Sequence, residues 1–311
     1  MAKAPLINIS IPVFNRPELT VQTIRSVKNT TSLPHIVTVV DNGSDEETQS
    51  ALLELKKAGF INYLFRLEKN YGVACAANIG WRMVSCPIYM KLDNDILIKS
   101  HEWLEMLLLQ FKRINKPVVM GADLNNQLNN SRYVRKREGI IGRTFAHVSG
   151  GAILIPREIS DIVGYWCEDY GLYGCEDGDY GVRLNVFGIK QYYFDHTLFM
   201  EHLGHDEETY HKNYGLRKKK TQNIFRPFWE TNKYLYSYRH RAPHPPLQYK
   251  ITGYDGYNVT LGNNTAYKPM LEALIEFHNV KRSFQEDSRE FVRALNIFMW
   301  LLPCFRKSGI I

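Results

Sequence analysis

The chain has 311 residues, of which 44% are hydrophobic and 23% are charged, and these proportions exclude a disordered, collagen-like or low-complexity protein. Its 39 Lys and Arg residues against 32 Asp and Glu residues give a net charge of +7, which favours an anionic partner such as nucleic acid, a phosphorylated substrate or acidic lipid. Five cysteines in no dense pattern argue against a disulfide framework and indicate a reducing, cytoplasmic setting.

Strand-like and helix-like segments alternate from residue 6 to residue 125. Predicted strands cover 6–12, 35–40, 60–65 and 87–92, and predicted helices cover 17–28, 45–58, 73–84 and 101–115. This alternation predicts an α/β fold with a mainly parallel, Rossmann-like sheet and helices on both faces. Polar loops at 14–16, 41–43 and 93–95 each follow a predicted strand. We therefore expect them to meet at the carboxyl edge of the sheet, where the sites of such folds lie.

The second half of the chain is less regular. Residues 122–144 are polar and partly basic, which predicts a loop or lid. The remaining predicted elements are a strand at 145–155, a short helix from 156, a helix that follows the turn at 171–179 and ends at 187, and a strand at 189–194. Beyond residue 206 the alternation fades, so we expect residues 221–311 to form a basic, aromatic and largely helical C-terminal appendage.

Two carboxylates follow the predicted strand at 87–92. Asp93 and Asp95 are two residues apart, so both project to one face while the strand continues. Together with diphosphate oxygens, they would suit Mg²⁺ or Mn²⁺. A solvated turn that caps the next helix is the commoner explanation of such a triplet.

Two other loops carry groups suited to a nucleotide. Asp41 follows an apolar strand and could accept hydrogen bonds from a nucleobase or a ribose, or could cap the helix that begins at 45. Asn70, Gly72 and Asn78 open the third predicted helix, where backbone amides and the helix dipole favour a phosphate or a ribose. An ordinary turn before a buried helix explains these residues as well.

A second acidic cluster contains Glu176, Asp177 and Asp179. Asp179 and Arg183 are four residues apart, which predicts an intrahelical ion pair. Glu176 and Asp177 stand at a helix start, where carboxylates are favoured for structural reasons, and the functional hypothesis is a base that deprotonates an attacking hydroxyl. Nearby aromatic residues could stack on a sugar or belong to the core; they are Tyr165, Trp166, Tyr170 and Tyr173.

Histidines follow the last predicted strand. His202 and His205 could complete a metal shell or contact a phosphate, but two histidines without a cysteine pair are weak support for zinc. A solvated loop histidine is the simpler interpretation. The basic run at 217–220 could close over a diphosphate or be solvated surface.

Six short motifs together resemble the family 2 glycosyltransferases. They are SIPVFN (10–15), VDNGS (40–44), NYG (70–72) with Asn78, DND (93–95), GG (150–151) and ED (176–177). Their order and spacing are similar to those of the family over residues 5–220. The resemblance implies an inverting, metal-dependent, nucleotide-sugar transferase of GT-A fold.

The resemblance also implies a role for each matching position. Asp41 would contact the nucleotide base, usually uracil or thymine. Asp95, assisted by Asp93, would hold Mn²⁺ or Mg²⁺ on the donor diphosphate, and His202 stands where many relatives have a metal or diphosphate ligand. The remaining donor contacts would come from Pro12, Phe14, Asn15, Asn70, Gly72, Asn78, Asn94 and Gly151.

In the family the acidic pair supplies the catalytic base, so the resemblance assigns that role to Asp177. Glu176 would orient the acceptor or the base. The pair is usually followed by an apolar-acidic pair, whereas residues 178–180 are Gly-Asp-Tyr here. Either acid therefore stays open as the base.

The implied function is transfer of a single sugar from a UDP- or dTDP-type nucleoside-diphosphate sugar to an acceptor hydroxyl. The acceptor would be a glycan, a lipid-linked glycan or a protein, in surface glycan or glycoconjugate synthesis. Residues 1–220 would form the catalytic domain, with 1–120 binding the nucleotide-sugar and 121–220 binding the acceptor and carrying the base. Alternatives are a sugar-phosphate nucleotidyltransferase, although the loop at 14–17 lacks glycine, and a basic nucleic-acid or membrane-surface module, although no nucleic-acid motif stands out.

The net charge is unevenly distributed along the chain. Residues 1–210 carry −3 and residues 211–311 carry +10, so the basicity belongs to the C-terminal part. No signal-peptide segment precedes the first strand, and the apolar run at 294–303 is shorter than the about 20 residues that span a bilayer. We expect a cytoplasmic protein. The apolar, cation-flanked segment at 291–307 either packs on the catalytic domain or contacts the inner membrane face peripherally.

Overall fold

The computed structural model describes residues 6–204 and 247–267, together with Trp229, Asn232, Leu235, Tyr236 and Ser237. The strands are β1 (Ile7–Val13), β2 (His35–Asp41), β3 (Tyr63–Arg66), β4 (Ile88–Leu92), β5 (Ile96–Ile98), β6 (Val118–Ala122), β7 (Val134–Glu138), β8 (Ile141–Thr144), β9 (Ala152–Pro156), β10 (Lys190–Phe194), β11 (Met200–His202), β12 (Tyr249–Tyr254) and β13 (Val259–Asn263). The helices are α1 (Pro17–Thr30), α2 (Glu46–Lys57), α3 (Val73–Met83), α4 (Trp103–Ile114), α5 (Arg157–Val163) and α6 (Glu176–Val186).

A nine-stranded sheet forms the centre of the described region, in the order β3-β2-β1-β4-β9-β6-β10-β8-β7. Strands β8 and β9 run antiparallel to their neighbours, and the others share one direction. Helices α1, α2 and α4 pack on one face, and α3, α5 and α6 pack on the other. The predicted α/β architecture, a mostly parallel sheet with helices on both faces, is confirmed.

The prediction of a loop or lid at 122–144 is wrong. This segment contains β7 and β8, which extend the sheet at its edge. Only Val134 of β7 is buried, and the charged residues that follow it are exposed. An edge strand tolerates such charges because they protect its open side from pairing with another chain. The strand therefore lacks the apolar pattern on which the prediction depended.

The strand predicted at 145–155 begins later, at Ala152. Residues 145–151 form a loop instead, which brings Gly151 beside Asp93, the residue after β4, and Gly150 beside Asp177 of α6. A Cβ atom on Gly151 would lie 2.5 Å from Leu124 Cδ1 and 3.2 Å from Asp93 Oδ2. The two glycines thus permit a close approach of backbone to the carboxylates.

A short antiparallel pair, β5 with β11, was not predicted from the sequence. Its register sets His202 opposite Ile96, the residue that follows Asp95. Each strand has only three residues, too few for a periodic pattern. This pairing brings residues 200–202 back to β5, the strand that follows the acidic triplet at 93–95.

Residues 247–267 differ from the predicted helical appendage, whereas the other described residues beyond 220, namely Trp229, Asn232, Leu235, Tyr236 and Ser237, are helical as predicted. Strands β12 and β13 form an antiparallel hairpin whose Val259 packs in one cluster with Val40 and Phe65. The backbone N–H groups of Gln248 and Tyr249 donate to Glu168 Oε2 at 2.7 Å and 3.2 Å. Residues 247–267 are therefore attached to the part of the fold formed by residues 6–204. The basic run at 217–220, His205 and the apolar segment at 291–307 lie outside the described residues.

No helix in the described part of the chain is long and apolar enough to cross a membrane.

The predicted ion pair between Asp179 and Arg183 is confirmed, with Arg183 Nε 2.8 Å from Asp179 Oδ1. Both side chains are fully buried. Asp179 also accepts hydrogen bonds from Tyr170 at 2.9 Å, from Asn232 at 2.6 Å and from Tyr236 at 3.1 Å. This buried network joins α6 to the described residues of the segment around 232–236.

We expect Asp179→Asn to destabilise the protein by about 3–5 kcal/mol, because it leaves the buried Arg183 guanidinium without its counter-charge. Chemical denaturation monitored by circular dichroism measures this loss. Glu138→Gln, which breaks the exposed pair of Glu138 with Lys136, is the control and should leave the unfolding midpoint unchanged. An unfolding midpoint of Asp179→Asn equal to that of the wild type would contradict the structural role of the network.

Candidate active site

The loops that follow β1, β2 and β4 meet at the carboxyl edge of the sheet, as the sequence predicts. The backbone N–H of Asn15 donates to Ser44 Oγ at 2.9 Å, and Asn15 Oδ1 accepts from the Asp45 N–H at 2.9 Å. Asn94 Nδ2 donates to Thr20 Oγ1 at 2.8 Å. Asn15 and Asn94 therefore hold the loops together, and the Asn94 amide points towards α1. Pro12 is buried in β1, and Phe14 is half-buried just beyond it.

Arg16 is a site residue that the sequence analysis did not select. It has a left-handed backbone conformation, with φ at 65°, and it follows Asn15 at φ 58°. Such conformations are costly for residues other than glycine and persist where surrounding contacts enforce them. Arg16 Nη1 bonds Asp95 Oδ2 at 2.9 Å, and Nη2 lies 3.5 Å from the Gly204 carbonyl oxygen. The only sequence signal for it was a basic residue in the loop after the first strand.

Asp95 lies between the Arg16 guanidinium group and the His202 imidazole. Its Oδ2 is bound by Arg16, and its Oδ1 lies 3.3 Å from His202 Nε2. Burial by itself would raise the pKa of Asp95, but His202 and Arg16 outweigh burial and hold the pKa below its usual value. Asp95 is therefore an ionised carboxylate at neutral pH. The predicted closeness of Asp95 and His202 is found, and the β5–β11 pairing produces it.

This arrangement fits a divalent cation with two protein ligands. Asp95 Oδ1 is buried and receives no well-formed hydrogen bond from the described residues. Neighbouring ligands of one octahedral ion, each about 2.1 Å from the ion, lie about 3 Å apart, which is close to the separation of Asp95 Oδ1 and His202 Nε2. No three His, Cys, Asp or Glu side chains converge anywhere in the described ranges. The other ligands of such an ion would have to be water or substrate oxygens.

One carboxylate oxygen of Asp93 is engaged within the protein, and its predicted role as a metal ligand stays a prediction. Its Oδ1 accepts a hydrogen bond from the ammonium group of Lys91, a buried side chain. Its backbone N–H donates to the Gly151 carbonyl oxygen at 2.7 Å. Burial is the largest influence on the pKa of Asp93 and raises it, despite the attraction of Lys91. The residue thus anchors the end of β4 to the Gly150–Gly151 loop.

Asp41 ends β2 with a buried carboxylate. Its Oδ1 accepts the Ser44 N–H at 2.9 Å, and its Oδ2 lies 3.9 Å from Arg66 Nε. Oδ2 receives no hydrogen bond from any residue that the structure describes. Burial raises the pKa of this carboxyl, although Ser44 and Arg66 oppose the shift. An acceptor atom without a donor, next to a guanidinium group, is suited to a ligand that offers an N–H beside a carbonyl.

The turn before α3 has a structural role that the sequence did not reveal. Asn42 donates to Asn70 Oδ1 at 2.9 Å and accepts the Tyr71 N–H at 2.9 Å. The Gly72 N–H donates to Asn70 Oδ1 at 2.9 Å. Gly72 has φ at 94°, and a Cβ atom there would lie 2.3 Å from the Gly171 carbonyl oxygen. The amides of Tyr71 and Gly72 are engaged by protein oxygens, so the predicted phosphate contact through them is not supported.

The prediction that Asn78 contacts the donor is wrong in this structure. Asn78 is fully buried in α3. Its Nδ2 donates to the Trp166 carbonyl oxygen at 2.9 Å and to Glu168 Oε1 at 2.8 Å, while its Oδ1 accepts the Trp166 N–H at 2.9 Å. A buried amide with all its hydrogen bonds made inside the protein cannot also bind a ligand. Trp166 and Tyr170 belong to the core, which excludes them as sugar-stacking residues here.

Glu176 and Asp177 occupy different environments at the start of α6. Glu176 is buried and accepts the Gly174 N–H at 3.1 Å. Burial and the neighbouring Asp177 raise the pKa of Glu176 to about 7. Asp177 is partly exposed and accepts the N–H groups of Gly150 at 3.2 Å and Gly178 at 2.7 Å. Asp177 is therefore the acid that an acceptor could reach.

Comparison with known proteins found a matching family and similar chains. Residues 9–170 match the family model described as glycosyl transferase family 2. Validoxylamine A glucosyltransferase of Streptomyces hygroscopicus subsp. limoneus is 33% identical over 95 residues, which are 30% of this chain and 21% of that protein. An uncharacterized glycosyltransferase of Rickettsia prowazekii is 24% identical over 218 residues, which are 66% of each chain.

The mannosyltransferase PcManGT from Pyrobaculum calidifontis, solved in complex with GDP-Man and Mn²⁺, has a similar structure. It superposes with a TM-score of 0.56 at 15% sequence identity, covering 99% of this chain and 82% of that one. The shared fold is of GT-A type. The family match spans more than half of the sequence, and the chain belongs to glycosyl transferase family 2.

Proposed function

We propose that this protein is a metal-dependent, inverting glycosyltransferase that moves one sugar from a nucleoside-diphosphate sugar to an acceptor hydroxyl. One observation carries the proposal, which is that two sets of polar groups lie at the same edge of the sheet. One set is Asp95 with His202, and the other is Asp177, beyond the Gly150–Gly151 loop. Asp95 and His202 are suited to bind a metal ion on the donor diphosphate, and Asp177 is suited to take the proton of the acceptor hydroxyl. Residues 1–220 would be the catalytic domain, with donor binding in 1–120 and acceptor binding in 121–220.

Asp41 and Arg66 would bind the nucleotide base. Asp41 Oδ2 accepts no hydrogen bond from the described residues and could accept one from an N–H of the base. Arg66 lies beside it and could donate N–H groups. Uracil and thymine present an N–H flanked by carbonyl oxygens, which complements this acceptor and donor. We therefore favour a UDP- or dTDP-linked sugar.

Asp95 and His202 would hold Mn²⁺ or Mg²⁺ together with oxygens of the donor diphosphate. The ion would supply Lewis-acid stabilisation of the negative charge that develops on the leaving nucleoside diphosphate. Arg16, which is bound to Asp95, keeps this carboxylate oriented and adds positive charge beside the diphosphate. Asp93 would support this side of the site through Lys91 and Gly151.

Asp177 would act as the base. Its carboxylate takes the proton of the acceptor hydroxyl while that oxygen attacks the anomeric carbon from the face opposite the diphosphate. The bond to the diphosphate oxygen breaks as the new glycosidic bond forms, so the configuration inverts. The hydrogen bonds from Gly150 and Gly178 fix the carboxylate in orientation.

The acceptor would be a glycan, a lipid-linked glycan or a protein in the synthesis of surface glycans or glycoconjugates. A peripheral membrane contact through the C-terminal basic and apolar segment, in a cytoplasmic protein, is consistent with a lipid-linked acceptor. That segment lies outside the described residues, so this part of the proposal rests on the sequence.

A panel of nucleotide-sugars with Mn²⁺ tests the function and the base preference together. We expect a UDP- or dTDP-sugar to be hydrolysed with release of nucleoside diphosphate, and Asp41→Asn to weaken its binding by about tenfold, the loss of one charged hydrogen bond. Isothermal calorimetry with the free nucleotide measures this loss. Asp45→Asn changes a nearby carboxylate that caps α2 and is the matched control. Release of pyrophosphate, or turnover of none of the donors, would contradict the proposal.

A further inference from the structure

Lys91 is a buried cation beneath the site, on the central strand β4. Its side chain is 2% exposed, and because residues two apart in a strand share a face, it lies on the same side of the sheet as Asp93. The ammonium group donates to Asp93 Oδ1 and, at 2.7 Å, to the Gly150 carbonyl oxygen. A buried charge is tolerated only with partners of this kind. None of the six motifs includes this residue.

The contacts of Lys91 continue to the acid at the start of α6. Lys91 binds the carbonyl oxygen of Gly150, and the N–H of the same residue donates to Asp177 Oδ2 at 3.2 Å. A Cβ atom on Gly150 would lie only 3.2 Å from Asp177 Cβ, so the loop and the acid are in close contact. The Asp93 N–H bond to the Gly151 carbonyl oxygen, at 2.7 Å, holds the neighbouring peptide.

The charges around Lys91 keep it protonated. Burial alone would lower its pKa, but Asp93, Glu176 and Asp177 together outweigh burial and raise the pKa. One ammonium group therefore faces carboxylates from two different elements of the fold, β4 with its following loop and α6.

We propose that Lys91 is a positioning residue for sugar transfer, which couples the donor side of the site to the base by holding Gly150 against Asp177. The ammonium group fixes the Gly150 peptide, and that peptide fixes the Asp177 carboxylate in the orientation from which it takes the acceptor proton. Lys91 itself touches neither substrate. The inference rests on the proposed function, because it assumes that Asp177 is the base.

The test compares Asp93→Asn with the double variant Lys91→Met/Asp93→Asn. The double variant removes the Lys91–Asp93 ion pair as a unit, whereas Lys91→Met alone would leave Asp93 without its bonded cation. We expect kcat of the double variant to be about 100-fold below that of Asp93→Asn, the cost of misplacing a catalytic group by about 1 Å, with nucleotide affinity unchanged. Lys91→Arg retains the positive charge, so its kcat should lie between that of the wild type and that of the double variant. Equal kcat in the double variant and in Asp93→Asn would show that Lys91 only neutralises Asp93, and would overturn the proposal.

A crystal structure of the variant tests the proposal without any measurement of sugar transfer. A crystal structure of Lys91→Met/Asp93→Asn should show the Gly150 peptide displaced and its hydrogen bond to Asp177 lost. An unchanged Gly150 N–H to Asp177 Oδ2 bond would overturn the proposal even if no donor were ever found. If instead the wild type turns over a nucleotide-sugar and only the Lys91 variants fail, the function stands and the loss is assigned to Lys91. Parallel losses of kcat, nucleotide affinity and thermal stability, without recovery in Lys91→Arg, would indicate a purely structural residue.

Discussion

Asp177→Asn should abolish sugar transfer while the protein continues to bind its donor. Asparagine retains an oxygen that can accept the Gly150 N–H but cannot take a proton at neutral pH, so the loss should match that of a general base, about 10²–10⁴-fold in kcat. Steady-state kinetics with donor and acceptor measure kcat, and calorimetric titration with nucleotide measures donor binding. We expect the affinity for the nucleotide to be unchanged.

Glu176→Gln is the matched control for this variant. Glu176 is buried and carries a pKa of about 7 because of burial and of its neighbour Asp177, and we expect its amide variant to keep more activity than Asp177→Asn. A base must be ionised to act, so activity rises with pH through the pKa of the base. Full turnover by Asp177→Asn, together with an acid limb near pH 7 that disappears in Glu176→Gln, would assign the base to Glu176 instead.

Asp95→Asn should lower kcat/KM by about 10²–10³-fold, since a bound metal ion contributes several kcal/mol of transition-state stabilisation. The change removes the charge that pairs with Arg16 and lies 3.3 Å from His202. It therefore weakens the two-residue ligand set and leaves the Arg16 guanidinium without its carboxylate. Activity measured against Mn²⁺ concentration should show a higher metal requirement in the variant.

Glu201→Gln is the control for the metal prediction. Glu201 precedes His202 in β11 but is half exposed and faces Lys99 at 3.5 Å, so its loss should leave activity and the metal requirement unchanged. Wild-type activity that persists in excess EDTA would remove the metal from the mechanism. In that case the guanidinium group of Arg16 and the ammonium group of Lys91 would remain as positive charges among the described residues of the site.

Residues 6–120 were the most predictable part of the fold. Strands buried on both faces need continuous apolar sequences, and β1 and β2 carry them, so their predicted limits differ from the observed ones by one residue. The edge strands β7 and β12 show why other elements were missed. β7 has a single buried residue, Val134, and β12 alternates half-buried with exposed residues over only six positions, because an edge strand has little core to bury.

The candidate site also contains some residues that the sequence predicts and others that it does not. Asp41 and Asp95 could be found from the sequence because each ends or follows a buried strand, and the topology of a parallel sheet brings such ends together. His202 was found through the family resemblance, and its contact with Asp95 depends on the three-residue pairing of β5 with β11. Arg16 was overlooked because one basic loop residue carries no pattern.

The sequence by itself determined the fold class, the family and the sheet edge at which the acids gather, because these follow from periodicity and from the order of motifs. Only the tertiary structure decided what each polar side chain does there. Asn78 links α3 to the Trp166 backbone inside the core, and Asp93 accepts a hydrogen bond from Lys91. Buried polar groups need partners, and the Trp166 partner of Asn78 and the Gly150 partner of Lys91 come from segments 88 and 59 residues away, at distances over which the sequence carries no local signal.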